Sequence, residues 1–304
     1  MLFFTYFIIL KLFIIFYKRF INMNYKKILV RSALISLMSF LPYQSFADPV
    51  NSSNMGNENS KEGFYISAKY NPSIPHFRKF SAEETPIYGT ESPTKKVFGL
   101  KKDGSIKTFG DFTRTDVSFD AQNNFISGFS GSIGYIMDGP RVEIEAAYQK
   151  FNPKNPNNET DTSDYYKYDA LSRADTMTAN KYVVLKNDGI AFSSLMFNAC
   201  YDITAEGVPF IPYACAGIGA DLISIFDDIN LKFAYQGKIG ISYPITPEIS
   251  AFIGGYYHGL IGNKFNKIPV KLPVTLTDAP QSTSASVTLD AGYFGGELGV
   301  RFTF

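Results

Sequence analysis

An alternation of apolar and polar side chains, recurring from residue 63 to the C-terminus, limits this chain's fold more than any other feature. Val142, Ile144, Ala146 and Tyr148 alternate with Glu143 and Glu145. Leu195, Phe197, Ala199, Tyr201 and Ile203 alternate with Met196, Asn198, Cys200 and Asp202, and Leu231, Phe233, Tyr235, Ile239 and Ile241 with Lys232, Gln236 and Lys238. Successive strand residues point to opposite faces, so a period of two gives each strand one apolar and one polar face. The 28 Phe and 20 Tyr fit this pattern, because aromatic side chains favour strands.

A soluble sandwich buries the apolar face; an outer-membrane barrel turns it to lipid and fills its interior with polar side chains. Alternation suits both, and three features select the barrel. The segments run to about the 9–11 residues that a tilted transmembrane strand needs. Short turns at 137–140, 204–209 and 244–248 alternate with long polar stretches at 71–124, 151–189 and 261–286. The sequence also ends in an alternating strand whose Phe302 and Phe304 read as the signal for the barrel-assembly machinery. We therefore expect an all-β, antiparallel, up-and-down transmembrane barrel with eight strands, at 63–70, 125–136, 141–150, 190–203, 210–221, 231–243, 249–260 and 290–304. The fourth loop, at 222–230, is short. Hairpins around Asp103-Gly104 and before Asn187 leave ten to twelve strands as the alternative, and 169–178 has the character of a short loop helix.

The front of the chain reads as targeting sequence. From Met23, Lys26, Lys27 and Arg31 precede an apolar run from Ala33 to Leu41. Ser45 and Ala47 then place small residues before Asp48, giving a signal peptide at 23–47 cleaved between Ala47 and Asp48, with 1–22 an over-called extension. A short periplasmic segment, 48–62, leads into the barrel at 63–304. Residues 1–47 hold six basic residues and no acidic ones; removing six from the 29 leaves 23 basic against 28 acidic. A mature chain with excess negative charge argues against nucleic acid as a partner.

Several blocks resemble the major surface antigen and outer-membrane porin family of Ehrlichia and Anaplasma. They are Gly63–Tyr70, Phe197–Asp202, Pro212–Asp221, Lys232–Tyr243 and Gly295–Phe302. The resemblance spans roughly 62–304 and implies a bacterial outer-membrane barrel whose variable loops face the host, with porin activity in some members.

No nucleophile elbow, zinc-protease or phosphate-loop motif is present, so we expect no catalytic residues, metal or cofactor. Of the two histidines, His76 reads as a solvated loop residue and His258 as a hydrogen-bonding group inside the barrel. Glu143, Glu145, Asp202, Asp221, Lys232, Lys238, Glu297 and Arg301 all fall on polar faces and are expected to point into the lumen. An eight-stranded interior is just wide enough for side chains. These charges therefore either pair into a plug or line a narrow pore. Cys200 and Cys215 flank the second short turn as potential cross-strand neighbours: either a disulfide or two small buried residues. Outer-membrane lipid is an expected partner, as are host surfaces or antibodies through 71–124, 151–189 and 261–286.

Overall fold

The computed structural model describes residues 62–304, apart from 87–89, 124–125, 157–162 and 205–206. The expected N-terminal extension, signal peptide and cleavage site, and all but the last residue of 48–62, lie outside the described residues. Eight strands form the barrel: β1 (Gly63–Tyr70), β2 (Phe129–Ile136), β3 (Pro140–Pro153), β4 (Ile190–Asp202), β5 (Ile211–Ile225), β6 (Asp228–Pro244), β7 (Ile249–Ile261) and β8 (Ser284–Thr303). Each pairs antiparallel with the next, and β8 returns to β1 with Tyr65 opposite Thr303 and Tyr70 opposite Leu298. Closure satisfies both sheet edges, which a wall facing lipid requires.

The alternation resolves as the membrane reading demands. Phe233 and Ile218, 71% and 70% exposed, stand on the outer wall beside Phe64, Leu195, Ile239 and Leu298. Their strand neighbours Lys238, Glu143, Glu145 and Glu297 are buried. Apolar outside and charged inside is the inverse of a soluble core. At one end, Met137 N–H donates to the Pro140 carbonyl and Ile245 N–H to that of Ile249, both at 2.8 Å, closing short turns on the side where β1 begins and β8 ends.

At the other end the long connections fold, correcting the expectation of polar loops. After Asn71-Pro72 the chain re-forms as a strand, Ser73–Glu84, which continues along the upper half of β8. Lys264–Pro269 pairs with the other side of β8, which itself begins six residues earlier than expected. A separate four-stranded sheet runs in the order Phe112–Arg114, Lys96–Leu100, Tyr168–Ser172, Tyr182–Lys186. The hairpin at Asp103-Gly104 is thus present, but its returning strand comes later, at Phe112. The expected helix at 169–178 is instead a strand through Ser172, because Ala170 and Leu171 bury their side chains on opposite faces of that sheet. The expected loop at 222–230 shrinks to two residues. β5 and β6 meet at Phe226-Asp227, both left-handed (φ 48° and 62°), the twist that a two-residue hairpin needs.

One face of the small sheet offers Val97, Leu171, Val183 and Leu185 to Phe151, Phe192, Ile223 and Tyr293 at the barrel mouth. The other packs Phe98, Ala170, Tyr182 and Val184 against Leu100, Phe112 and Tyr165. The loops therefore carry a core of their own.

Candidate functional site: the barrel lumen and the cap above it

The lumen is built from the inward positions of all eight strands. At its centre, Glu143 and Glu145 of β3 face Lys69 of β1 and Lys238 of β6. Lys238 Nζ lies 2.5 Å from Glu145 and 3.8 Å from Glu143. Lys69 donates to Glu145 and lies 3.5 Å from Glu143, and Glu297 of β8 sits 4.0 Å from Lys69 and 3.8 Å from Lys238. Toward the short-turn end, Arg141 reaches Glu143 at 2.9 Å and Asp202 at 3.1 Å, and Arg301 lies 3.6 Å from Asp202. Four cations thus face four carboxylates.

Neutral donors complete the network. Tyr65 O–H donates to Glu143 at 2.6 Å and Tyr213 O–H to Glu297 at 2.5 Å. Asn198 donates to Glu143 at 3.0 Å, and Gln236 to Asn198 at 2.6 Å. Higher up, His258 Nε2 lies 2.7 Å from Asp221, its ring stacked on Tyr293. Buried charges are tolerated when paired and hydrogen-bonded; all eight here are paired, while Glu297 Oε2 and Arg301 Nε lack a hydrogen-bond partner. Two cavities among these side chains measure about 10 Å³ each, room for about one water molecule.

Seven of the eight residues expected in the lumen are there. Lys232 is the exception: it has the inward parity, but its ammonium donates to the Lys264 carbonyl and lies over the Phe265 ring, at the rim. Lys69 and Arg141 were missed, although Lys69 shares a face with Tyr65 and Ser67, and Arg141 shares one with Glu143. Cys200 and Cys215 are register partners joined by a disulfide, packed against Tyr213 and Phe252 near the short-turn end. His76 is exposed as expected, but on the strand Ser73–Glu84 rather than in a loop.

Above the lumen, the aromatic rings of Phe77, Phe119, Phe151, Phe192 and Tyr293 close the mouth, with centroids 5.0–6.4 Å apart. Arg173 ties three loop segments to one another. Its guanidinium clamps Glu84 at 2.9 Å and 2.6 Å and donates to the carbonyls of Asp278 and Pro280. Asp169, buried in the small sheet, lies one strand over from Arg114 across Gly99. Burial pushes its carboxyl up to about 7, against the opposing pull of Arg114.

The family model described as surface antigen matches residues 57–304, most of the chain. The chain belongs to the surface antigen family. Major surface antigen 4 of Anaplasma marginale is 34% identical over 296 residues, covering 93% of this chain and all of that protein. Among solved structures, Neisserial surface protein A aligns over 80% of this chain and 97% of its own, at 16% identity and a TM-score of 0.38. The Escherichia coli outer membrane protease OmpT aligns over 81% and 99% (10% identity, TM-score 0.34), and E. coli outer membrane protein W over 80% and 98% (16%, 0.31). The resemblance noted from the sequence blocks is thus shown at the level of the family.

Proposed function

We propose that this surface antigen sits in the bacterial outer membrane as a sealed barrel, and that its role lies in the folded cap it holds outside the cell. The observation that carries the proposal is the filled lumen: four cations and four carboxylates cross-linked over the whole section, with cavities of about 10 Å³. A hydrated ion needs a continuous water path, and a cross-linked interior of eight strands offers no such width. In this reading, 71–124, 151–189 and 261–286 supply the surface that meets host components or antibodies. Lipid surrounds the apolar wall, export uses the signal peptide at 23–47, and Phe302 and Phe304 serve assembly. Phe304 fits that last role, since its N–H closes onto the Phe64 carbonyl at the β1–β8 seam, at 2.8 Å. The protein acts without catalysis: His258 is buried against Asp221 and Tyr293, out of reach of a polymeric substrate.

Planar-bilayer conductance of the refolded chain tests the reading. We expect silence from a folded, heat-modifiable barrel. Discrete steps that scale with salt would refute the seal and restore the porin alternative, in which Lys238→Glu should then shift ion preference.

A further inference from the structure

The outer wall carries a feature that neither the lumen nor the cap core explains. The strands flanking β8 each contain a one-residue bulge above the apolar zone. On one side the register slips between Thr288, opposite Ser81, and Asp290, opposite Arg78; on the other, between Val287, opposite Phe265, and Ala285, opposite Ile268. Each bulge contains a left-handed lysine, Lys79 (φ 54°) and Lys267 (φ 62°). Left-handed backbone is unfavourable for a side chain of this kind, and bulges re-aim side chains. Here they turn consecutive residues outward: Arg78 with Lys79, and Asn266 with Lys267, all exposed along with Lys264. Four cations, Arg78, Lys79, Lys264 and Lys267, thus share this wall with two carboxylates, Glu83 and Asp290. Asp290 is already engaged by Lys79 at 3.1 Å and by Asn263 at 2.8 Å.

Directly below, the same wall is apolar and aromatic. Ile74, Phe294, Tyr257 and Ile261 are exposed. The rings of Tyr235 and Tyr257 lie 6.0 Å apart, and a side chain at Gly292 would collide with the Tyr257 hydroxyl, which therefore reaches up the wall toward the cations. Lys264 follows Ile261 by three residues, with Gly262 (φ 86°) and Asn263 breaking the strand between them, so its rise is at most about 7 Å at the usual tilt. That rise matches the headgroup layer flanking the hydrocarbon. Tyrosine at the boundary with basic residues just above is the arrangement that holds an anionic lipid.

We propose that this wall is a binding site for the phosphate headgroup of an anionic outer-leaflet lipid, held by Arg78, Lys264 and Lys267 with its acyl chains on Tyr257, Phe294 and Ile261. The position on the lipid-facing wall, rather than at the apex of the cap, favours a lipid over a soluble polyanion.

The test is native mass spectrometry of the refolded chain in micelles doped equally with phosphatidylglycerol and phosphatidylcholine. Wild type should retain phosphatidylglycerol preferentially. R78Q/K264Q/K267Q should reduce that preference by at least about tenfold, whereas K95Q/K107Q/K154Q, which removes equal charge elsewhere on the cap, should not. Heat-modifiable gel mobility verifies folding of each variant. Equal retention of the two lipids by wild type would overturn the proposal without needing any variant. So would preference kept in the first triple variant, or lost equally in both. Binding of a soluble sulfated hexasaccharide in place of phosphatidylglycerol would also overturn it.

Discussion

The Arg173–Glu84 clamp sets how firmly the cap is folded, and replacing Arg173 by Met measures it. Both side chains are almost fully buried, at 3% and 0% exposure, and the guanidinium makes paired contacts to one carboxylate and reaches two backbone carbonyls. Met keeps the volume and removes the charge, leaving the Glu84 carboxyl group buried without its cation. Breaking a buried pair from one side costs about 3–5 kcal/mol. Glu84→Met alone strands the guanidinium less severely, because its two carbonyl acceptors remain. The double variant removes both charges and should recover at least about 2 kcal/mol relative to R173M, falling short of wild type by the two orphaned carbonyls. The readout is amide hydrogen exchange of Tyr168–Ser172 in detergent micelles, where local opening of the small sheet is seen without unfolding the barrel. R173M should speed exchange there by about two to three and a half orders of magnitude, while β4 to β6 amides stay protected. An acceleration below about tenfold, or a double variant as damaged as the sum of the singles, would refute the argument that charge burial dominates this contact.

Three further outcomes are expected. Asp169 holds a proton in the folded cap up to about pH 7, whereas an unfolded aspartate releases it near 4; cap stability should therefore be highest below pH 4, fall by up to about 4 kcal/mol as pH rises to 7, and be level above. Asp169→Asn should flatten that slope in the same exchange assay, and a wild-type profile already flat would contradict it. Lys238→Met leaves Glu145 with Lys69 as its remaining cation and should lower the temperature at which the folded gel band converts to the unfolded one, without opening conductance; an unchanged transition would mean the lumen pairs contribute nothing measurable. Alkylation before reduction should label neither Cys200 nor Cys215, and C200S/C215S, which frees a 15-residue loop, should destabilise the barrel by about 3 kcal/mol. Two labelled thiols in the native protein would sink that expectation.

How much of this was legible in the sequence follows from which residues have two different faces. Barrel strands separate lipid from lumen, so Val142–Tyr148 and Leu231–Ile241 alternate, and all eight strands could be located, seven to within four residues at either end and the eighth to within six at its start. The same parity places Lys69 and Arg141 in the lumen. They were overlooked because each stands at the end of its strand, where alternation has few neighbours to support it. The cap strands have no such contrast. Tyr182, Val183, Val184 and Leu185 are all buried, two on each face of a sheet packed on both sides, and a continuous apolar run does not distinguish strand from helix. The β5–β6 turn hides for a related reason. Its left-handed pair is Phe226-Asp227 rather than the glycine-containing pair such a turn favours, and Phe226 is held there by burial in the cap core beside Phe80 and Phe119. Arg173 and Glu84 are 89 residues apart and become partners only after both loops have folded over the mouth. A chain of this kind writes its membrane-spanning part in local pattern, because the solvent changes across every strand. Its cap is specified by long-range packing, which no local pattern in the sequence records.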